Sequence, residues 1–266
     1  MLILLPPSET KRAGGSGAFD PERLRFSAEL AESRGRVRRA LEALSGDEEA
    51  AAKTLKLGVK NRGELAHNLR LGESGVRPAI ERYTGVLYDA LDAQTLDAAA
   101  REWVDAHVAV QSALFGMIGA GDGIPAYRLS ASSRLPELGA PLKRVWSAAH
   151  AATPWAEGRG MVLDLRSQDY AALAPLPAGT GWFVHVAQRG SDGEVRALNH
   201  FNKAAKGDLV RRLAQAQAAF GDVGALLEWG AATGLELHAD PESRVVTLVT
   251  ALGAPGGATS RSSDAG

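Results

Sequence analysis

The run Leu2-Ile-Leu-Leu5, closed by Pro6-Pro7, is the feature that most restricts how this chain can fold. A strand that is apolar at every position needs cover on both faces, which is the condition of strands in a parallel, helix-covered sheet. Proline cannot donate to a ladder, so the pair ends the strand. The same arrangement returns at Met161 to Leu165, where Arg166-Ser-Gln-Asp-Tyr170 follows as Ser8-Glu-Thr-Lys-Arg12 follows the first run. In open α/β sheets, ligands bind just outside the carboxyl ends of strands. Both polar loops are therefore candidate walls of a site, although either could equally be plain surface. The fold expected is mixed α/β, one domain over residues 1–252 with a mixed sheet flanked by helices. The Gly-, Ala-, Ser- and Thr-rich segment 253–266 reads as a disordered tail.

The N-terminal apolar run lacks a basic region before it and stops after five residues. It is too short for a signal peptide or a membrane span, so a cytoplasmic protein is expected. The chain holds no cysteine, which excludes thiolate catalysis, zinc-thiolate sites and clusters built on its own thiols. Its formal charge of -1 means that any contact with nucleic acid must come from a local basic patch. One such patch spans residues 53–77, with six basic and two acidic residues, a local net of +4. Within it, two helical patterns meet through Leu57, Gly58 and Val59. A short Gly-containing turn between apolar residues is similar to a helix-hairpin-helix, here at about 47–71. Lys56, Lys60 and Arg62 surround the turn; an ordinary αα-hairpin would read the same way.

A second basic stretch begins where a short strand, 195–201, feeds an amphipathic helix with Leu209, Val210 and Leu213 on one side. The junction carries His200, Asn202, Lys203 and Lys206. Unpaired N–H groups at a helix start favour an anion, and these residues would suit a phosphate or simply form a solvated face. Elsewhere, Asp20-Pro21 opens a helix that is expected to break near Gly35. Pro78 opens another through Leu91, and residues 96–118 read as one long helix. The glycines at 119, 121 and 123 lack the strand-then-helix frame of a dinucleotide loop. They describe instead a close crossing that delivers Tyr127 and Arg128 into place. Trp182 to Gln188 is expected to pair with the strand from Val195 around an Asp-Gly turn, and residues 235–249 form a last hairpin.

Several stretches in register resemble one family, the YaaA proteins of bacterial peroxide-stress defence. They are Pro7-Ser-Glu-Thr10, Tyr83-Thr-Gly-Val-Leu-Tyr88, Ser112-Ala-Leu-Phe-Gly-Met-Ile118, Pro125-Ala-Tyr-Arg-Leu129, Leu142-Lys-Arg-Val-Trp146, Val162-Leu-Asp-Leu-Arg-Ser-Gln-Asp-Tyr170 and Phe201-Asn-Lys-Ala-Ala-Lys-Gly207. The resemblance implies a family-specific single-domain fold with a helix-hairpin-helix-like element and a positively charged cleft. It also implies binding to duplex DNA and a part in limiting iron-driven oxidative damage. Where better-known members carry Lys, this chain has Glu9, and its basic residues come later, at Lys11 and Arg12.

Two functions follow as expectations. One is sequence-independent DNA binding, with phosphate contacts from Lys11, Arg12, Lys56, Gly58, Lys60, Arg62, Arg128, Arg166, Asn202, Lys203, Lys206 and Arg211. The other is an enzyme or binding protein for a nucleotide or nucleobase, using a polar pocket at the strand ends with Glu9, Asp164 and His200 as candidate catalytic groups. No catalytic motif is matched, so no reaction is named. The six histidines lack ligand spacing, so no metal and no other cofactor is expected. The partners expected are DNA and a small phosphate-bearing ligand, with no membrane, for a monomer.

Overall fold

All four side chains of the first strand are buried, because it lies between two parallel neighbours with apolar layers on both faces. The computed structural model describes residues 1–189, 195–197 and 202–250. Its strands are β1 (Leu2–Leu5), β2 (Arg77–Pro78), β3 (Val108–Ser112), β4 (Gly116–Gly119) and β5 (Gly123–Ile124), then β6 (Val162–Asp164), β7 (Gly181–Arg189), β8 (Val195–Ala197), β9 (Glu236–Asp240) and β10 (Val245–Thr250). The main sheet runs β4-β3-β1-β6-β7-β10-β9, with β8 on the last residues of β7. β2 and β5 form a separate two-stranded ladder. Strands β3, β1, β6, β7 and β10 are mutually parallel. β4, β8 and β9 run antiparallel to their neighbours, so the sheet is mixed as expected.

Alternation along β1 divides the core. Ile3 and Leu5 face the large cluster with Val108, Val110 and Leu163. Leu2 and Leu4 face a smaller one with Met117, Trp155 and Val162. Burying each such side chain contributes about 1.5–3 kcal/mol.

Three helix starts follow aspartates, whereas the helix expected from Asp20 begins only at Ser27, after Phe26 in the left-handed region at φ 56°. Asp47, Asp97 and Asp222 each accept a hydrogen bond from the backbone N–H three residues on, and Asp20 caps a 3₁₀ turn at Pro21–Arg23. The helix Ser27–Ser45 passes through Gly35 without the expected break. The cost of an interior glycine, about 1 kcal/mol, is outweighed by the buried stripe Leu30, Val37, Leu41 and Leu44. The expected helix from Pro78 divides into Ala79–Arg82 and Val86–Leu91, because Gly85 takes a φ of 96°.

The largest departure lies at residues 96–118. The helix there covers only Ala98–His107, and the chain then forms the β3–β4 hairpin. The apolar residues that suggested one helical stripe are buried, but β3 is buried at every position between β1 and β4. Local periodicity cannot separate that case from a buried helix. The C-terminal hairpin forms as expected, and β10 adds a parallel pairing with β7. The expected turn at 191–193 and the tail 253–266 lie outside the described residues. Among the described residues, no helix is long and apolar enough to cross a membrane.

Candidate functional site at the strand ends

From β1 the chain moves out to β3 on one side, then returns to place β6 on the other. Neighbouring loops therefore diverge at the carboxyl ends of β1 and β6. The chain opens a crevice of about 480 Å³ there. The loop after β1 supplies Ser8, Glu9 and Thr10, and the loop after β6 supplies Ser167, Asp169 and Tyr170. Lys203, at the start of the helix Asn202–Gln215, completes that side. Thr84, Gly85 and Tyr88 close the crevice, together with Ser130 and Ser132.

Arg128 sits behind Glu9. It donates from one nitrogen to the Glu9 carboxylate at 2.9 Å and from the other to Glu64 at 3.2 Å. Its backbone exchanges hydrogen bonds with the buried Asn68 side chain, 2.7 Å from Arg128 N and 3.0 Å to Arg128 O. The basic hairpin is thereby docked beside the crevice. Below, the Lys11 ammonium donates to the carbonyls of Ser8 (2.9 Å) and Glu9 (3.1 Å) and lies 4.0 Å from the Tyr127 ring centre. Burial, aided by the Arg128 charge, pushes its pKa down to about 7. The Tyr127 hydroxyl bonds those of Ser112 (2.8 Å) and Tyr83 (2.9 Å), and burial raises both phenols.

Several cations expected to meet phosphate have partners within the chain, some of them buried. Arg166 is wholly buried and clamps Asp164 through two bonds of 2.8 and 2.7 Å. Neither residue lines the crevice. Lys206 is buried and donates to Leu165 O at 3.0 Å, with its pKa pushed down to about 8 by burial. Arg211 ties the helix Asn202–Gln215 to Leu91 O and Asp92 O, and Arg62 pairs with Glu48 and Glu49. Arg12 is exposed and donates to Gln94 at 2.7 Å. His200 lies outside the described residues; Asn202 is half-buried. The charged side chains of the described lining are Glu9, Asp169 and Lys203. The described lining does not show the positively charged cleft that was expected: Arg166 and Arg62 are paired with carboxylates, and Lys206 and Arg211 donate to backbone carbonyls away from the crevice.

In the hairpin element, the helix Glu48–Thr54 is followed by a 3₁₀ segment, Val59–Glu64, and the short helix Leu65–Leu69. The left-handed residue in the connection is Lys56, at φ 54°, while Gly58 is extended with open space around it. Lys53, Lys56 and Lys60 are exposed, and so is Val59, at 83%. Among the described residues, no group of three or more His, Asp or Glu side chains is placed to hold a metal ion.

Sequence reading missed Thr84, Tyr88, Ser130 and Ser132 as crevice residues. They reach it from elements far along the chain, and the only local signal was the polar run Ser130-Ala-Ser-Ser133. It also missed Arg34 and Arg82, buried arginines that donate to backbone carbonyls of distant strands and loops.

Comparison with known proteins agrees with the resemblance. A UPF0246 protein of Streptomyces coelicolor is 44% identical over 221 residues, 80% of this chain and 82% of its own length. One from Corynebacterium glutamicum is 39% identical over 254 residues, 94% of this chain and all of its own. One from Corynebacterium efficiens is 40% identical over 228 residues. A family model described as peroxide stress protein YaaA matches residues 1–240. The chain belongs to the YaaA family of peroxide stress proteins.

Proposed function

We propose that this protein binds the DNA backbone during the response to hydrogen peroxide, limiting iron-driven damage, and that it does so through the hairpin at residues 48–69. The observation that carries the reading is the exposure of Lys53, Lys56 and Lys60 around the open Gly58. Three exposed ammonium groups, from the end of one helix, the connection and the start of the 3₁₀ segment, release counterions when they meet phosphates, which is the main term in sequence-independent binding. The unobstructed glycine lets a backbone approach closely. The first N–H groups of the following helical turn have no intrahelical acceptor and can serve a phosphate oxygen. Arg12 and Lys203, both exposed, can extend the contact. The crevice itself is a poorer seat for a polyanion, since among its described lining residues two carboxylates outnumber one ammonium.

The test is duplex affinity against salt, read by fluorescence anisotropy. Log affinity should fall linearly with log salt, and Lys56→Ala should lower the slope by about 1. Affinity that stays flat between about 50 and 200 mM salt would overturn the proposal.

A further inference from the structure

We infer that the crevice between the loops after β1 and β6 binds a nucleoside whose base carries an exocyclic amine. Topology supplies the first reason. The crevice opens where the strand order reverses, between β1 and β6, at the carboxyl ends of parallel strands. That is the place where open α/β sheets take their ligands. Its volume of about 480 Å³ falls within the range of small-molecule sites.

Lining chemistry supplies the second reason. Glu9 and Asp169 are acceptors only, and Asp169 has no hydrogen-bond or ion-pair partner among the described residues. Glu9 is steadied by Arg128 through one oxygen, which leaves the other free for a ligand. A carboxylate is the natural acceptor for the N–H groups of an amino-substituted base. The hydroxyls of Ser8, Thr10, Ser130 and Ser132 can both donate and accept, which suits a ribose. Pro6, Val86 and Tyr170 add apolar surface for a flat ring. With two carboxylates and one ammonium, the described lining favours a neutral ligand over a nucleoside triphosphate.

The same chemistry has two sources, a free nucleoside or an unstacked base in a DNA strand. Calorimetry on the full chain without DNA separates this inference from backbone binding. Guanosine, adenosine or cytidine should bind saturably, with uridine about tenfold weaker or more, and with little change in affinity as salt rises. Glu9→Gln and Asp169→Asn, both at exposed positions, should each weaken binding about tenfold, and far-ultraviolet circular dichroism should show that both variants are folded. Competition by a single-stranded oligonucleotide assigns the source to a strand base, and its failure assigns it to the free nucleoside. No saturable binding by any of the four nucleosides, equal binding of uridine, or unchanged affinity in both carboxamide variants would overturn the inference.

Discussion

The pair Asp164–Arg166 offers the sharpest test of how this fold handles its charges. Asp164 is 2% exposed and Arg166 is 0%. Besides the two side-chain bonds, Asp164 Oδ1 accepts from Arg166 N at 3.0 Å. Asp164 also lies close enough to favour the ammonium of Lys206. Replacing Asp164 by Asn keeps the shape but leaves a buried guanidinium without its counter-charge and turns an amide N–H₂ toward it. Breaking one partner of a buried pair costs about 3–5 kcal/mol. In a chain of this size 1 kcal/mol moves Tm by about 2–4 °C, so Asp164→Asn should lower Tm by roughly 10 °C. The double variant Asp164→Leu/Arg166→Met removes both charges, and replacing a buried pair by apolar groups is commonly neutral or stabilising. It should therefore recover most of the loss. Urea unfolding followed by tryptophan fluorescence, with the slope m unchanged, reads both. If Asp164→Asn stays within about 1 kcal/mol of the parent protein, or if the double variant loses as much as the two single changes together, the pair does not have this role.

Three other outcomes follow from the packing. His150 is buried, accepts from Met117 N through Nε2 and faces Trp146 O and Leu173 O through Nδ1, and burial pushes its pKa from 6.5 down to about 4. The unfolded chain takes up that proton first, so stability is lost as pH falls from about 6.5 to 4, by about 3 kcal/mol. His150→Gln should flatten this stretch of the stability curve, and parallel curves for the two proteins would refute it. Gly207 packs against Leu87, where a Cβ would strike the Leu87 carbonyl oxygen. Gly207→Ala should then destabilise by about 1–3 kcal/mol, although helix propensity alone predicts a gain of about 1 kcal/mol. Gly58→Ala, with nothing nearby, should change thermal stability little.

Wherever one segment decided its own structure, the sequence was sufficient. Leu2–Leu5 could only be a covered strand, and the amphipathic stripe of residues 202–215 marks its own helix. The two polar loops at residues 8–12 and 166–170 pointed to the crevice for the same reason, since a strand's carboxyl end is where its loop must be. Tertiary structure decided the rest. Residues 108–119 became two strands because β1 offered an edge more than a hundred positions away. Arg128 reached Glu9 across 119 positions, and Arg166, Lys206 and Arg211 turned inward once carboxylates and carbonyls were available to them. A cation's chemistry is written in its residue type, but whether it meets solvent, a phosphate or a buried partner depends on neighbours that local sequence does not specify.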